Sequence, residues 1–270
     1  MESFDEMLDS FIRLGLAEDV GEGDHTSMAC IRSTRVSKAK LLIKDDGIIS
    51  GVDVAKKIFK EVAAAADFEK LISDGSVVKP GDVAFYVTCP TRALLMAERL
   101  VLNTMQRMSG IATIASLYLQ EIEGLPVKIL DTRKTTPGMR FLEKQAVVHG
   151  GCHNYRAGLY DWIMIKDNHV EACGDIALAI DRVHEYLQKT QKDLSITIEV
   201  RNLVELQKVL DHGGVTRIMM DNFEIPILKE AVAMVNKRFE TEASGGIDLH
   251  NVRAYAETGV DYVSSGALTH

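Results

Sequence analysis

The rhythm of apolar positions changes near residue 127. Before it, residues 3–18 place Phe4, Met7, Leu8, Phe11, Ile12 and Leu14 at helical spacing, as one stripe on one face. Gly21 and Gly23 end that helix, and the acidic stretch 18–27 reads as a solvated connector. Residues 38–44 and 47–50 read as short strands and residues 52–62 as a helix. Residues 76–78 and 83–88 read as strands on either side of the turn Lys79-Pro80-Gly81-Asp82. Residues 91–121 form one long helical pattern, with Gly110 as the point where it would break or kink.

From residue 127 the pattern becomes strand, loop, helix, repeated. Strands are predicted at 127–130, 162–165, 196–200, 217–220, 240–243 and 262–264. Helices fit at 141–148, 174–187, 203–211, 225–234 and 248–257. Such alternation predicts parallel strands with helices outside them, in an α/β barrel or a doubly wound sheet. The fold class expected is α/β: a small N-terminal α+β domain over residues 1–108, then the alternating domain over 109–270. In either architecture the ligand site lies at the C-terminal ends of the strands.

Composition narrows the function classes. With 270 residues, 46% of them hydrophobic, the chain has ample material for a core. A net charge of −8 offers no global basic surface to nucleic acid. No apolar run approaches the ~18 residues of a membrane span. Cys30, Cys89, Cys152 and Cys173 are scattered, with no C-x-x-C pair, which fits a reducing cytoplasm and no structural zinc.

Chemistry gathers where the predicted strands end. The first runs into Asp131, Arg133 and Lys134, and the second into Lys166-Asp167-Asn168-His169. The next four end in Glu199, in Asp221-Asn222, in Ser244-Gly245-Gly246 and in Ser265-Gly266. One polar cluster could be a surface loop; six of six point to a shared mouth. Between Asp131 and Lys166 stand six Lys or Arg against three acids, a local excess on an acidic chain that suits anionic ligands. Ser244, Gly245 and Gly246 precede a predicted helix, so backbone N–H groups and the helix dipole would hold a phosphate there, helped by Ser265 and Gly266. Gly150 and Gly151 would let backbone approach a ligand. Glu199 and Asp221 would bind ribose hydroxyls or Mg²⁺ through water, although Glu199 has a bland alternative in a salt bridge with Arg201. Arg99 either snorkels beside Glu98 or points into a shared pocket. There is no Walker A loop and no G-x-G-x-x-G, and His149, His153 and His169 lack metal-ligand spacing. The residues suit binding and electrostatics rather than covalent catalysis.

Several of these stretches resemble one family. DTRKTTPGMR (131–140), HGGCHNYRAGL (149–159), IMIKDNH (163–169), MDN (220–222), EASGGI (242–247) and GVDYVSSGALTH (259–270) are similar to those of quinolinate phosphoribosyltransferase. So are AEDVGEGDHTS (17–27) and ERLVLNTMQRMSGIAT (98–113), which extends the resemblance over essentially the whole chain. It implies a small N-terminal α+β sandwich followed by an α/β barrel. It also implies homodimers, or a hexamer built as a trimer of dimers, with active sites completed across the interface. By motif, Arg133, Arg156 and Lys166 would hold the two quinolinate carboxylates, with Tyr155 beside them and Arg99 reaching in from the partner subunit. Lys134, Glu199, Asp221, Ser244, Gly245, Gly246, Ser265 and Gly266 would hold phosphoribosyl pyrophosphate with Mg²⁺. Lys134, Lys166, Glu199 and Asp221 would carry the catalysis. No organic cofactor, nucleic acid or membrane is implied.

Three departures stand out. Tyr155 takes the place where many members have His, and it can donate a hydrogen bond but not carry a cation. Thr197-Ile198-Glu199 stands where the family has Glu-x-Glu, so one of two acids is present. The chain ends at His270, where the family continues for a short segment, and weaker packing against the N-terminal module is expected. Two alternatives are a paralogue for another pyridine or aromatic acid, and a non-catalytic metabolite-binding protein on the same fold. The paralogue would lose an Arg of the carboxylate cluster, whereas Arg99, Arg133, Arg156 and Lys166 are all present.

Overall fold

The structure, a computed structural model, describes residues 3–270. They fall into two compact units, Met1–Ser116 with Thr135–Gly151, and Leu117–Lys134 with Cys152–His270.

The elements up to the long helix are α1 (Phe4–Val20), α2 (His25–Cys30), β1 (Val36–Leu42), β2 (Gly47–Ile48), α3 (Val52–Val62), β3 (Asp67–Lys70), β4 (Val77–Val78), β5 (Val83–Pro90) and α4 (Thr91–Glu121). A capping box starts α1. The Ser3 N–H donates to Glu6 Oε2 at 2.7 Å, and the Glu6 N–H donates to Ser3 Oγ at 3.3 Å. The acidic connector is partly helical: Asp24 Oδ1 accepts the Ser27 N–H at 3.0 Å and starts α2. β5 pairs antiparallel with both β1 and β3, and β2 pairs with β4. Asp67–Lys70 has a single apolar residue, so its sequence does not announce a strand. Phe68 anchors it, its ring 4.5 Å from Phe85 and 6.2 Å from Phe59. The expected break at Gly110 is absent, and α4 is one helix. Buried Met108, Ile111 and Ala112 on either side of the glycine offset its helix penalty of ~1 kcal/mol.

The chain continues with β6 (Lys128–Leu130), α5 (Arg140–His149), β7 (Ile163–Ile165), α6 (Asp167–Cys173), α7 (Ile176–Thr190), β8 (Ile196–Val200), α8 (Leu203–His212), β9 (Arg217–Asp221), α9 (Ile225–Val235), β10 (Glu240–Ser244), α10 (Val252–Ala256) and β11 (Tyr262–Ser264). α5 belongs to the first unit. There a Cβ on Gly150 would strike the Ala112 carbonyl oxygen of α4. This glycine serves close packing, not the approach of a ligand as its sequence suggested.

The six strands of the second unit form one parallel sheet in the order β6-β11-β10-β9-β8-β7. Among the described residues no ladder joins β6 to β7. The outer side of β6 instead pairs with His153, which exchanges hydrogen bonds of 2.9 and 3.1 Å with Ile129 and Asp131. Side chains alternate between the two faces of each strand. Ile198, Ile218, Met220, Ala243 and Val263 are fully buried on the outer, helix-covered phase. The inner phase is polar: Thr197 and Glu199; Arg217, Met219 and Asp221; Glu240, Glu242 and Ser244; Tyr262 and Ser264. The sheet thus buries oil on one face and gathers chemistry on the other.

Candidate active site

A cavity of about 800 Å³ opens within the second unit, where the six strands end. Arg133, Lys134, Arg156, Lys166, Glu199 and Asp221 line it, with Ser244, Gly245, Gly246 and Gly266. Tyr155 lines it as well. Each strand therefore delivers its terminal cluster to one place, as parallel α/β architecture requires.

Local hydrogen bonds set these side chains. Thr132 Oγ1 accepts the Lys134 N–H at 3.0 Å, and Thr269 Oγ1 donates to the Lys134 carbonyl at 2.8 Å, which folds the turn after β6. The Lys166 N–H donates to His169 Nδ1 at 2.9 Å at the start of α6. Lys166 Nζ lies 3.0 Å from Glu199 Oε2, and Glu199 is 9% exposed. Arg201 pairs instead with Glu205 at 2.7 Å. The surface salt bridge between Glu199 and Arg201 is thus ruled out. Asn222 Nδ2 donates to Asp221 Oδ2 at 2.7 Å, which steadies this carboxylate at the cavity wall.

Charge is uneven along the wall. Burial and the neighbouring Arg133 charge push the Arg156 guanidinium below its ordinary pKa. Two like charges held close and partly desolvated are relieved by an anion between them. Gly245 marks a second kind of site. Its φ is +98°, and a Cβ there would lie 2.8 Å from the Asn222 backbone nitrogen. Only glycine fits this turn, which leaves the backbone of residues 244–246 exposed to the cavity.

Some expectations need correction. Ser265 does not line the cavity. It is 1% exposed, donates to the Ile247 carbonyl at 2.6 Å and lies 3.1 Å from the Tyr118 hydroxyl. It ties loops together. The helix expected at 248–257 is only Val252–Ala256, because residues 248–251 are spent on a turn in which Asp248 Oδ1 accepts the His250 N–H at 2.9 Å. Any phosphate held by residues 244–246 therefore meets loop N–H groups and no helix dipole. Asp131 is fully buried and accepts the Tyr155 N–H at 2.8 Å, so it organises the loop rather than facing a ligand. The Tyr155 hydroxyl lies 2.6 Å from Thr197 Oγ1, so it is engaged by the sheet. Arg99, on α4 of the first unit, is exposed.

The reading of strand ends missed Met164, Met219, Asp248, Ser264 and His270, which also line the cavity. Met164, Met219 and Ser264 share the inner phase of their strands with the polar residues, a signal of period two. Asp248 lies just beyond the stretch 242–247, and His270 ends the stretch 259–270 without having been assigned a role.

The description "Quinolinate phosphoribosyl transferase, N-terminal domain" matches residues 24–109, and that of the C-terminal domain matches residues 111–270. A Nicotiana glauca protein named quinolinate phosphoribosyltransferase [decarboxylating] 1 is 43% identical over 97% of this chain and 79% of its own length. An Arabidopsis thaliana protein named nicotinate-nucleotide pyrophosphorylase [carboxylating], chloroplastic, is 42% identical over the same shares. The crystal structure of NadC from Streptococcus pyogenes is 32% identical, with a TM-score of 0.93 over 100% of this chain and 94% of that one.

Proposed function

The chain belongs to the quinolinate phosphoribosyltransferase family, and we propose that it transfers phosphoribosyl from phosphoribosyl pyrophosphate to quinolinate, releasing pyrophosphate and CO2 and leaving nicotinate mononucleotide for NAD synthesis. The observation that carries this reading is the pairing of Arg133 with Arg156 on one cavity wall that also holds Lys166 and the glycine turn at 245. A dicarboxylate and a phosphorylated sugar are the two ligands such a cavity suits.

Arg133 and Arg156 hold the carboxylates, and Lys166, steadied by Glu199, closes that end. The backbone of residues 244–246 and of Gly266 holds the 5′-phosphate. Lys134 faces the pyrophosphate. The pyridine nitrogen attacks the anomeric carbon as pyrophosphate leaves, so positive charge builds on the sugar. Glu199 and Asp221 offset that charge. The resulting pyridinium withdraws electrons from its neighbouring C–CO2⁻ bond, which breaks without a general base; the electron pair stays on the ring carbon as CO2 leaves, and that carbon takes a proton from water to give the product. Positioning and preset charge supply most of the acceleration.

Magnesium accompanies the pyrophosphate in this proposal and stabilises the leaving group when bound. Among the described residues no three His, Cys, Asp or Glu gather to hold a metal. Glu199 is engaged by Lys166, while Asp221 faces the cavity, a donor set that fits an ion held chiefly by phosphate oxygens. The proposed assembly is a homodimer with Arg99 supplied by the partner subunit, alone or as a hexamer built from three such dimers. Its proposed compartment is the cytoplasm; among the described residues no helix is long and apolar enough to cross a membrane.

Quinolinate labelled with ¹³C at its 2-carboxylate tests the coupling of the two steps. One labelled CO2 should appear for each pyrophosphate released, and pyrophosphate without CO2 would sink the decarboxylating reading. Sharing of the site is tested by mixing inactive Arg99→Ala and Lys166→Ala subunits. Verified heterodimers should regain part of the activity; none regained would remove Arg99 from the site.

A further inference from the structure

A second polar layer lies beneath the cavity, toward the starts of the strands. Arg217, the first residue of β9, is 5% exposed, and Glu242 is fully buried. Arg217 donates to Glu242 Oε2 at 3.1 Å and to Glu240 Oε2 at 3.0 Å. Its guanidinium carbon lies 3.7 Å from the Tyr262 ring centre, 5.1 Å from that of Tyr155 and 5.3 Å from that of Trp162. The Tyr155 hydroxyl is 2.6 Å from Thr197 Oγ1, and Trp162 Nε1 donates to the same oxygen at 2.8 Å. The rings of Tyr155 and Trp162 meet edge to face at 5.6 Å.

Core filling alone explains this layer poorly. Burying charge costs desolvation, and apolar residues of like volume often fill such space as well or better. Of the residues in the layer, Tyr155 also lines the cavity, and it directly precedes Arg156. Its N–H donates to buried Asp131, its hydroxyl meets Thr197 and the carboxylate of Glu242, and its ring lies over Arg217. Burial keeps the phenol protonated by pushing its pKa well up, so the hydroxyl persists at all working pH values. The positions at which the chain departs from the family pattern, Tyr155 and Thr197, are thus one hydrogen bond apart. A change at either breaks that bond, and a change at Thr197 also removes the acceptor of the Trp162 Nε1–H.

We propose that Thr197 is a positioning residue for the dicarboxylate: its hydrogen bond to the Tyr155 hydroxyl, above the Arg217–Glu242 pair, fixes Tyr155 and through it Arg156 at the cavity wall. Thr197 is fully buried and does not line the cavity, so it acts on a ligand only through Tyr155. The inference rests on reading the Arg133–Arg156 wall as the quinolinate site.

Thr197→Val keeps the volume and removes the hydroxyl. The KM for quinolinate should rise about tenfold, the worth of one hydrogen bond, with kcat and the KM for phosphoribosyl pyrophosphate within about twofold. Tyr155→Phe should raise the same KM, and Thr197→Ser should restore the wild-type value. Each single variant also loses a contact of its own, Thr197 with Trp162 and Tyr155 with Glu242, but the bond between them is lost once, so the double variant Thr197→Val/Tyr155→Phe should cost less than the sum of the singles. Trp162 is the chain's sole tryptophan, and its fluorescence should shift with quinolinate in the wild type and less in Thr197→Val. Calorimetric Kd values for quinolinate should follow the KM values. An unchanged quinolinate KM and Kd would overturn the proposal, as would strictly additive losses. So would equal rises in both KM values with a lowered Tm, the mark of a merely structural role. If Thr197→Val does not fold, Tyr155→Phe with its Kd and Trp162 signal decides alone. Quinolinate bound by the wild type but not turned over would refute the enzymatic reading while the Kd comparison still judges Thr197; a wild type that binds no quinolinate overturns both.

Discussion

Arg133→Ala should lower kcat/KM for quinolinate by about a thousandfold, because it removes a charged donor from a partly desolvated carboxylate site. The fold should survive. Arg133 borders the cavity, and the like charge of Arg156 stands beside it, so truncation lessens that repulsion. Steady-state kinetics and a melting curve check both halves of the expectation. A variant that is unfolded, or one that is folded and fully active, would show that Arg133 serves the structure or nothing at this site. Arg156→Ala should behave alike.

Gly245→Ala should raise the KM for phosphoribosyl pyrophosphate about a hundredfold and leave quinolinate binding nearly unchanged. Two costs add. A side chain at φ +98° is strained by roughly 1–3 kcal/mol, and its Cβ would collide with the Asn222 backbone, which cannot retreat like a flexible side chain. The turn must open, and its N–H groups then lose their common aim. Gly246 provides the comparison, since it has φ +61° but open space around its Cβ position, so Gly246→Ala should cost far less. Equal effects at both positions would contradict a role for close packing against Asn222.

Much of the second unit was legible because its strands end abruptly. An apolar run followed by Asp-Thr-Arg-Lys or Ser-Gly-Gly can only be a buried strand emerging into a loop, and parallel connection brings such ends together. Lys134, Lys166, Glu199, Asp221 and the glycines at 245 and 246 all reach the cavity for that reason. The phase within each strand was harder to read. Arg217 was passed over, Thr197 was noted only as a departure from Glu-x-Glu and Glu242 only inside the stretch 242–247, although all three repeat the two-residue spacing of Glu199, Asp221 and Ser244 along the same strands. A strand buried on both faces shows little amphipathic contrast, so its inner side must be recognised by polar residues at every second position. Ser265 and Asp131 were misread for the opposite reason: polar type at a strand end does not distinguish a ligand contact from a group that satisfies loop backbone. α2 and β3 escaped because each is short and held by one cap or one aromatic ring. A contribution across a subunit interface leaves no periodic signal in one chain, which is why the role proposed for Arg99 rests on the motif around it.

The central claim is tested most directly by incubating the purified protein with phosphoribosyl pyrophosphate and Mg²⁺, giving quinolinate in one sample and nicotinate in a parallel one, and following products by NMR. Nicotinate mononucleotide should form from quinolinate and not from nicotinate, because the paired Arg133 and Arg156 require two carboxylates. Product from nicotinate, or from neither acid while phosphoribosyl pyrophosphate binds, would contradict the account.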